Sequence, residues 1–289
     1  MQSRPQGGCL YLVATPIGHL EDITLRALRV LKEVDLIACE DTRQTRKLLT
    51  HYSIRKPLVS YHQHNEMTRA AQLVIDLEQG AQVALVSDAG MPLISDPGHH
   101  LLALCRRHHI PVVPVPGPTA LVAALAASGL PTESFLFRGF LPAKASERRR
   151  ALIELAALGR QTGTLVFYES PHRLLDALAD LAAILGNRQA VVAREVTKLH
   201  EEFLRGTLQE VRVHFEAHAP RGEITLLVAP QEESAAHTSA AVANLPLPAR
   251  VEQIMQEQKL DSKAALKQAA RERGITKREA YKQLLVGRN

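Results

Sequence analysis

Four short segments bring carboxylates, cations and hydroxyls close together along the chain, and each follows an apolar run. The densest is Ser87-Asp88-Ala89-Gly90-Met91-Pro92-Leu93-Ile94-Ser95-Asp96-Pro97-Gly98. Its small residues leave backbone N–H and C=O groups open, a surface able to recognise an adenine edge or a ribose. An irregular loop held by Asx turns would use the same Asp and Gly residues. The segment is longer than a strand–helix connection needs, however, and such loops usually carry function. Asp96 or Gly98 is placed to start the next helix. Glu40-Asp41-Thr42-Arg43 offers a base or a substrate ligand in Glu40 or Asp41, against the simpler reading that Asp41 or Thr42 caps a helix. Tyr168-Glu169-Ser170-Pro171-His172-Arg173 sets Glu169 and His172 at another strand end, with Ser170 before Pro171 as a helix start. Arg194-Glu195-Val196-Thr197-Lys198 closes a further strand with mixed charge, as a functional group or a solvated ion cluster. Thr15-Pro16-Ile17-Gly18 ends the first strand in a turn that either admits a ligand close to the backbone or is an ordinary connection.

Other chemistries are disfavoured. Neither GxGxxG nor GxxxxGK[ST] occurs, so the dinucleotide fingerprint and the Walker phosphate loop are absent. The 13 histidines include His62/His64, His99/His100 and His108/His109, without HExxH or Cys-linked spacing, and no metal site is expected. Cys9, Cys39 and Cys105 lie far apart in apolar stretches. They are expected to be small core residues, not a disulfide framework or a zinc site. Glu147-Arg148-Arg149-Arg150 is a basic patch, either a solvated helix face or a phosphate contact.

The elements that must position these residues alternate. Apolar runs predict strands at 10–14, 36–39, 58–61, 83–87 and 112–115, with helices starting near Leu25, Thr42, Glu66 and Gly98. This is an α/β pattern of buried strands covered by helices. Three prolines at 114, 116 and 118 mark a boundary. Thr119 is then placed to cap an Ala/Leu-rich helix ending near Gly129. Strands are predicted at 135–137, 165–168, 190–193, 202–204 and 224–229, and helices at 146–157, 171–185 and 208–218, an α+β or mixed-sheet unit. The resulting division is 1–117, 118–230, a polar linker at 231–245 and a helical segment at 246–289.

The chain has 289 residues and a formal net charge of +5. Ten Lys/Arg and five Asp/Glu fall in 245–289, so the other 244 residues balance at 25 of each. A neutral body with a basic appendage follows, not a protein that coats nucleic acid uniformly. In the appendage, apolar residues at helical spacing from Asp261, a break at Gly274 and a restart at Thr276 suggest a helix-turn-helix. Leu260, Leu266, Ile275, Tyr281 and Leu285 would form its core. Lys263, Lys267, Arg271, Lys277, Arg278 and Lys282 would remain for phosphate; a generic helical interaction domain is the simpler reading, and the basic excess favours nucleic-acid docking. No apolar run is long enough to span a bilayer and no secretory signal is visible, so a soluble cytoplasmic protein is expected.

Taken in order with Pro116-Gly117-Pro118-Thr119-Ala120 and Gly222-Glu223, these motifs closely resemble the ribosomal RNA small subunit methyltransferase I family, in the tetrapyrrole-methylase-like class of S-adenosylmethionine enzymes. The resemblance covers essentially the whole chain, including the small helical tail. His19 stands where that family usually has Asn. The resemblance implies two α/β domains of tetrapyrrole-methylase-like fold, a small C-terminal helical domain, S-adenosylmethionine in the cleft between the α/β domains, and a homodimer. It implies 2′-O-methylation of a cytidine ribose in the decoding region of 16S ribosomal RNA, with that RNA or the assembled 30S subunit as partner. By position in the motifs, Thr15, Pro16, Asp88, Ala89, Met91, Ile94, Thr119, Ala120, Tyr168 and Gly222 are expected at the cofactor. A ribose hydroxyl is a poor acid, so Asp41, Glu169 and Glu195 are candidate bases, while Lys198 or Arg43 would orient phosphate or steady an alkoxide. Two other classes stay open: a methyltransferase for tetrapyrrole-type small molecules, and a non-catalytic RNA-binding assembly factor.

Overall fold

The computed structural model describes residues 7–231, 247–258, 261–272, 275–276 and 279–280. The chain forms two compact units, Met1–Gln231 and Glu232–Asn289.

The first unit opens with five strands, β1 (Cys9–Val13), β2 (Leu36–Cys39), β3 (Leu58–Ser60), β4 (Gln82–Val86) and β5 (Val112–Val115). Between them run α1 (Leu25–Glu33), α2 (Thr42–His51), α3 (Glu66–Glu78) and α4 (His99–Arg107). The strands pair in the order β3-β2-β4-β1-β5, all parallel. Their side chains alternate between two cores. Leu10, Leu12, Ala38, Val83 and Leu85 pack on α3 and α4, while Val13, Ile37, Cys39, Ala84 and Val86 pack on α1 and α2. Burial on both faces explains the unbroken apolar runs of the sequence. Pro114 lies inside β5, which the sheet tolerates because β5 is an edge strand. The three cysteines are buried and unbridged.

α5 (Ala120–Ser128) leads to a second sheet of β6 (Phe135–Phe140), β7 (Thr164–Glu169), β8 (Gln189–Arg194), β9 (Glu202–Thr207) and β10 (Ile224–Val228). Its order is β6-β7-β10-β8-β9, parallel only between β6 and β7. One face packs on α6 (Ala145–Ala157), α7 (Leu174–Leu185) and α8 (Leu208–Ala217). The other receives Ala124 and Leu125 of α5 together with Ile17.

Several sequence expectations change, among them the strand expected to end at 204, which runs on to Thr207. Thr119 stands at the N-cap of α5 without a side-chain capping bond; its hydroxyl engages Tyr168 instead. The helix expected from Pro171 begins as a 3-10 turn, Pro171–Arg173, before α7. The strand expected to end at 137 runs on through a bulge to Phe140, because Gly139 takes up the extra residue at φ +63°.

In the second unit, α9 (Leu247–Gln258) and α10 (Ser262–Glu272) share a small core of Leu247, Val251, Ile254, Ala265, Leu266, Ala269, Ala270 and Ala280. Ile275 packs against it. Thr276 and Glu279 form a reciprocal capping pair that starts the next turn. The predicted core residues Leu260, Tyr281 and Leu285, the Gly274 break and the linker from 232 lie outside the described residues.

Candidate active site

The parallel sheet dictates where a ligand can sit. The chain leaves β1 toward β2 on one side, and leaves β4 toward β5 on the other. β1 and β4 are neighbours, so a crevice opens where their carboxyl ends diverge. Thr15-Pro16-Ile17-Gly18 follows β1 and the 87–98 loop follows β4. The two are joined by paired backbone bonds, Thr15 N–H to Gly90 O at 2.9 Å and Gly90 N–H to Thr15 O at 3.0 Å. The Thr15 hydroxyl donates to Ser87 O, and the Ser87 hydroxyl donates to Gly90 O. Leu93 and Ser95 hold φ of +72° and +67°, strain that the surrounding fold must impose. The loop ends on Gly98, the N-cap of α4, which has no side chain to cap with. Glu66 of α3 takes over: its Oε1 accepts from Gly98 N–H, His100 N–H and the Tyr61 hydroxyl.

Against this edge lies a cavity of about 360 Å³, within the roughly 300–1,000 Å³ typical of small-molecule sites. The 88–91 and 94–96 stretches and Ile17 form one wall. Thr119 and Ala120 begin α5 at its side. The second sheet supplies the opposite wall through Tyr168, Glu169, Ser170 and Pro171 at the end of β7, Phe140 from the bulge, Val196, and residues 222–225 entering β10. Tyr168 is fixed by edge-on contact with Phe137 and by the Leu121 N–H donating to its hydroxyl.

The two walls differ in charge. Burial pushes the Asp96 carboxyl up to about 6, aided by Glu40 and Asp88 and opposed by the Ser87 hydroxyl. Burial raises Asp88 as well, although the Asp41 N–H donates to it and holds it down. Glu40 rises through burial and then through Asp88. This acidic rim complements a cation. On the other wall Glu169 is wholly buried. Its Oε1 accepts from Ser170 N–H at 2.8 Å and lies 3.4 Å from Arg173 Nε, an ion pair not aligned as a hydrogen bond. Its Oε2 is buried with no hydrogen-bond partner. A buried acceptor left unsatisfied costs about 1–3 kcal/mol, which marks it as a group awaiting a donor.

The structure brings nine of the predicted residues to the cavity: Asp88, Ala89, Met91, Ile94, Thr119, Ala120, Tyr168, Gly222 and Glu169. Thr15 and Pro16 lie outside its lining; Thr15 is buried and holds the loop. Asp41 also lies outside. It caps α2, and the side-chain and backbone hydrogen bonds of Arg43 hold its carboxyl down at about 2. Glu195 lies behind the wall, at φ +52°. Burial would raise its carboxyl, but the Lys198 ammonium at 2.9 Å and the Glu223 N–H outweigh that and lower it. Lys198 is correspondingly raised against its own burial, clasped by Glu195 and by Glu223 at 3.0 Å. Gly222, at φ +78°, has no room for a Cβ because Glu195 occupies the space. The 147–150 patch is largely structural: Arg148 is buried, and both it and Arg149 bind Asp180 at 2.7 Å. Lys263, Lys267 and Arg271 line an exposed face of α10, whereas Lys277, Arg278 and Lys282 lie outside the described residues. Sequence reasoning named Asp96 only as a helix start and Glu223 only within a motif, assigned neither to the site, and missed Phe140. Asp96 had a signal, the Ser-Asp-x-Gly echo within the loop; Phe140 had none, since the bulge delivers it.

A crevice at the switch of a parallel sheet, closed by a mixed second sheet, accords with the class to which the chain belongs: the tetrapyrrole (corrin/porphyrin) methylases, whose family model matches residues 9–212. Uroporphyrin-III C-methyl transferase from Thermus thermophilus, solved in complex with S-adenyl homocysteine, shares the fold with a TM-score of 0.53 and 21% identity over 76% of this chain and 97% of that one. Within the class the chain belongs to the ribosomal RNA small subunit methyltransferase I family. The Halalkalibacterium halodurans protein of that name is 51% identical over 97% of this chain and 96% of its own. The Escherichia coli O157:H7 protein is 46% identical over 96% and 95%. Among the described residues no helix is long and apolar enough to cross a membrane, and no group of His, Cys, Asp and Glu is arranged to hold a metal.

Proposed function

We propose that this chain transfers a methyl group from S-adenosylmethionine to the 2′-hydroxyl of a cytidine ribose in the decoding region of small-subunit (16S) ribosomal RNA. The observation that carries the reading is the 51% identity, over nearly the whole of both chains, to a relative named for small-subunit rRNA methylation. The cavity agrees with it. Ala89, Gly90 and Ala120 leave backbone open for close approach, and Asp88 and Asp96 offer a negative rim to a sulfonium. S-adenosylmethionine supplies, when bound, a methyl already electrophilic enough to be attacked by oxygen.

The protein's task is then position and proton. Met91, Ile94, Thr119, Ala120, Tyr168 and Gly222 would hold the cofactor, and Thr15, next to Pro16 in the turn, would hold the loop that carries Met91 and Ile94. Glu169 Oε2 would accept the ribose hydroxyl and take its proton as the O–C bond forms. Glu195 and Lys198 would brace the 222–225 edge from behind, and Arg43 would meet phosphate. We read 1–117 and 118–230 as the two methylase domains, 231–245 as the linker and 246–289 as an RNA-docking module, in a homodimer working on small subunits in the cytoplasm.

The test is calorimetry with S-adenosylmethionine followed by label transfer to purified small subunits. Label recovered as 2′-O-methylcytidine is the expected result. Label on a tetrapyrrole acid and none on subunits would overturn the reading, and subunit binding without transfer would leave an assembly factor.

A further inference from the structure

We propose that the outer face of α2 and the loop after it form a second RNA-binding surface, within the first unit and beside the cavity; the proposal rests on the RNA substrate inferred above. The balanced charge of residues 1–244 conceals a local excess. Residues 42–65 contain Arg43, Arg46, Lys47, Arg55 and Lys56 and not one Asp or Glu. The helix collects three of these cations on one side. Arg43, Arg46, Lys47, Thr50 and His51 fall at i, i+3, i+4, i+7 and i+8 and line one shallow depression. Thr45 and Leu49 are buried on the other side, which fixes the outward direction of the cations.

Several exposed arginines on other helices are matched by an acid one turn on, as in Arg29–Glu33 and Arg212–Glu216. On α2 that pattern is missing. Arg46 and Lys47 are exposed, and among the described residues neither has an ion-pair partner; Lys47 reaches only Gln44 Oε1, at 3.4 Å. Arg43 does pair, with Asp41 at 2.8 Å. A run of unmatched cations repels itself, and a polyanion relieves that repulsion.

Placement selects which polyanion. The Asp41 N–H at the start of α2 donates to Asp88 Oδ1, and Asp88 lines the cavity. A nucleotide whose ribose enters the cavity therefore carries its neighbouring phosphates onto α2. From Arg43 to His51 the helix rises about 12 Å, roughly three to four charge spacings of about 3.4 Å along one strand. The contact is to backbone, so it adds affinity and register without reading sequence.

Arg46→Gln/Lys47→Gln tests this, with Arg212→Gln as a control for lost surface charge. Gln keeps helix propensity close to that of Arg and Lys. Binding to purified small subunits is measured across a salt series, alongside cofactor calorimetry and steady-state methyl transfer. The double variant is expected to lose about 1.4–1.8 from the slope of log K against log salt, at roughly 0.7–0.9 per phosphate contact. KM for subunits should rise about tenfold or more, with kcat and cofactor affinity as in wild type and Arg212→Gln unchanged throughout. Wild-type slope and KM in a double variant that still methylates subunits would overturn the surface and leave the RNA reading standing. A wild-type protein that neither binds nor methylates subunits would overturn both.

Discussion

Glu169 and Asp96 are both carboxylates on the cavity wall, and their surroundings fit them for different tasks. Glu169 is buried beside Arg173, with one oxygen free of any partner. Glu169→Gln keeps the shape and removes the basic oxygen. Turnover is expected to fall by about 10²–10⁴, with cofactor affinity near wild type by calorimetry; unchanged turnover would leave catalysis to positioning alone. Asp96 lies near Glu40 and Asp88 and titrates near 6, against 3.8 for an ordinary Asp. Between those two pH values the folded state holds the proton that the unfolded state has released. Raising pH through that window therefore costs the empty protein stability. A sulfonium reverses the preference by favouring the ionised carboxylate. Affinity for S-adenosylmethionine should thus rise roughly three- to tenfold from pH 5 to pH 7, an electrostatic gain of about 0.7–1.4 kcal/mol. S-adenosylhomocysteine, which lacks the positive sulfur, should show little of this rise. Equal pH profiles for the two ligands, or a profile that survives Asp96→Asn, would remove Asp96 from that role.

At the scale of elements, a single glutamate ties loop, strand and helix together. Glu66 stands in the first turn of α3 yet caps α4 and accepts from Tyr61 at the end of β3. Glu66→Ala leaves the first N–H groups of α4 and a buried hydroxyl unsatisfied. Urea denaturation should show a loss of about 1–2 kcal/mol, with weaker cofactor binding as the 87–98 loop loosens; Glu66→Gln should recover part of both. That cap was invisible in the sequence, because donors and acceptor are 32 and 34 residues apart. What was legible followed from local rules. Apolar runs located all ten strands of the first unit, to within a residue at most ends; the central strands, buried on both faces, leave no polar gaps, whereas the edge strands β6 and β9 carry polar residues and both run three residues past their predicted ends. Strand ends located Glu169 and the 87–98 loop. Asp41 and Glu195 show the limit of that signal. Both follow strands, but one folds back to cap its helix and the other is clasped by Lys198. His19 gives a milder case. Its Nδ1 accepts from Glu21 N–H and its own N–H donates to Thr197, so the ring fills the capping place that Asn favours.

At the scale of the whole molecule, the RNA reading uses two positive faces among the described residues, that of α10 in the second unit and that of α2 in the first. A chain ending at Ala243 should keep its cofactor affinity and part of its affinity for small subunits. Its salt slope should be flatter than wild type but not zero, because α2 remains. Full subunit affinity with an unchanged slope would reassign the tail to dimer or partner contacts. The order of the second sheet carries one more consequence. β10 is the last strand of the first unit, yet it lies between β7 and β8. Until residues 224–228 have been synthesised and inserted, β7 and β8 face each other across a missing strand, and one wall of the cavity does not exist. Long-range closure of this kind is slow compared with local helix formation. The β1–β4 crevice is complete more than a hundred residues earlier in synthesis. A nascent chain therefore displays half a site until residues 224–228 have emerged and inserted between β7 and β8, and becomes competent only then.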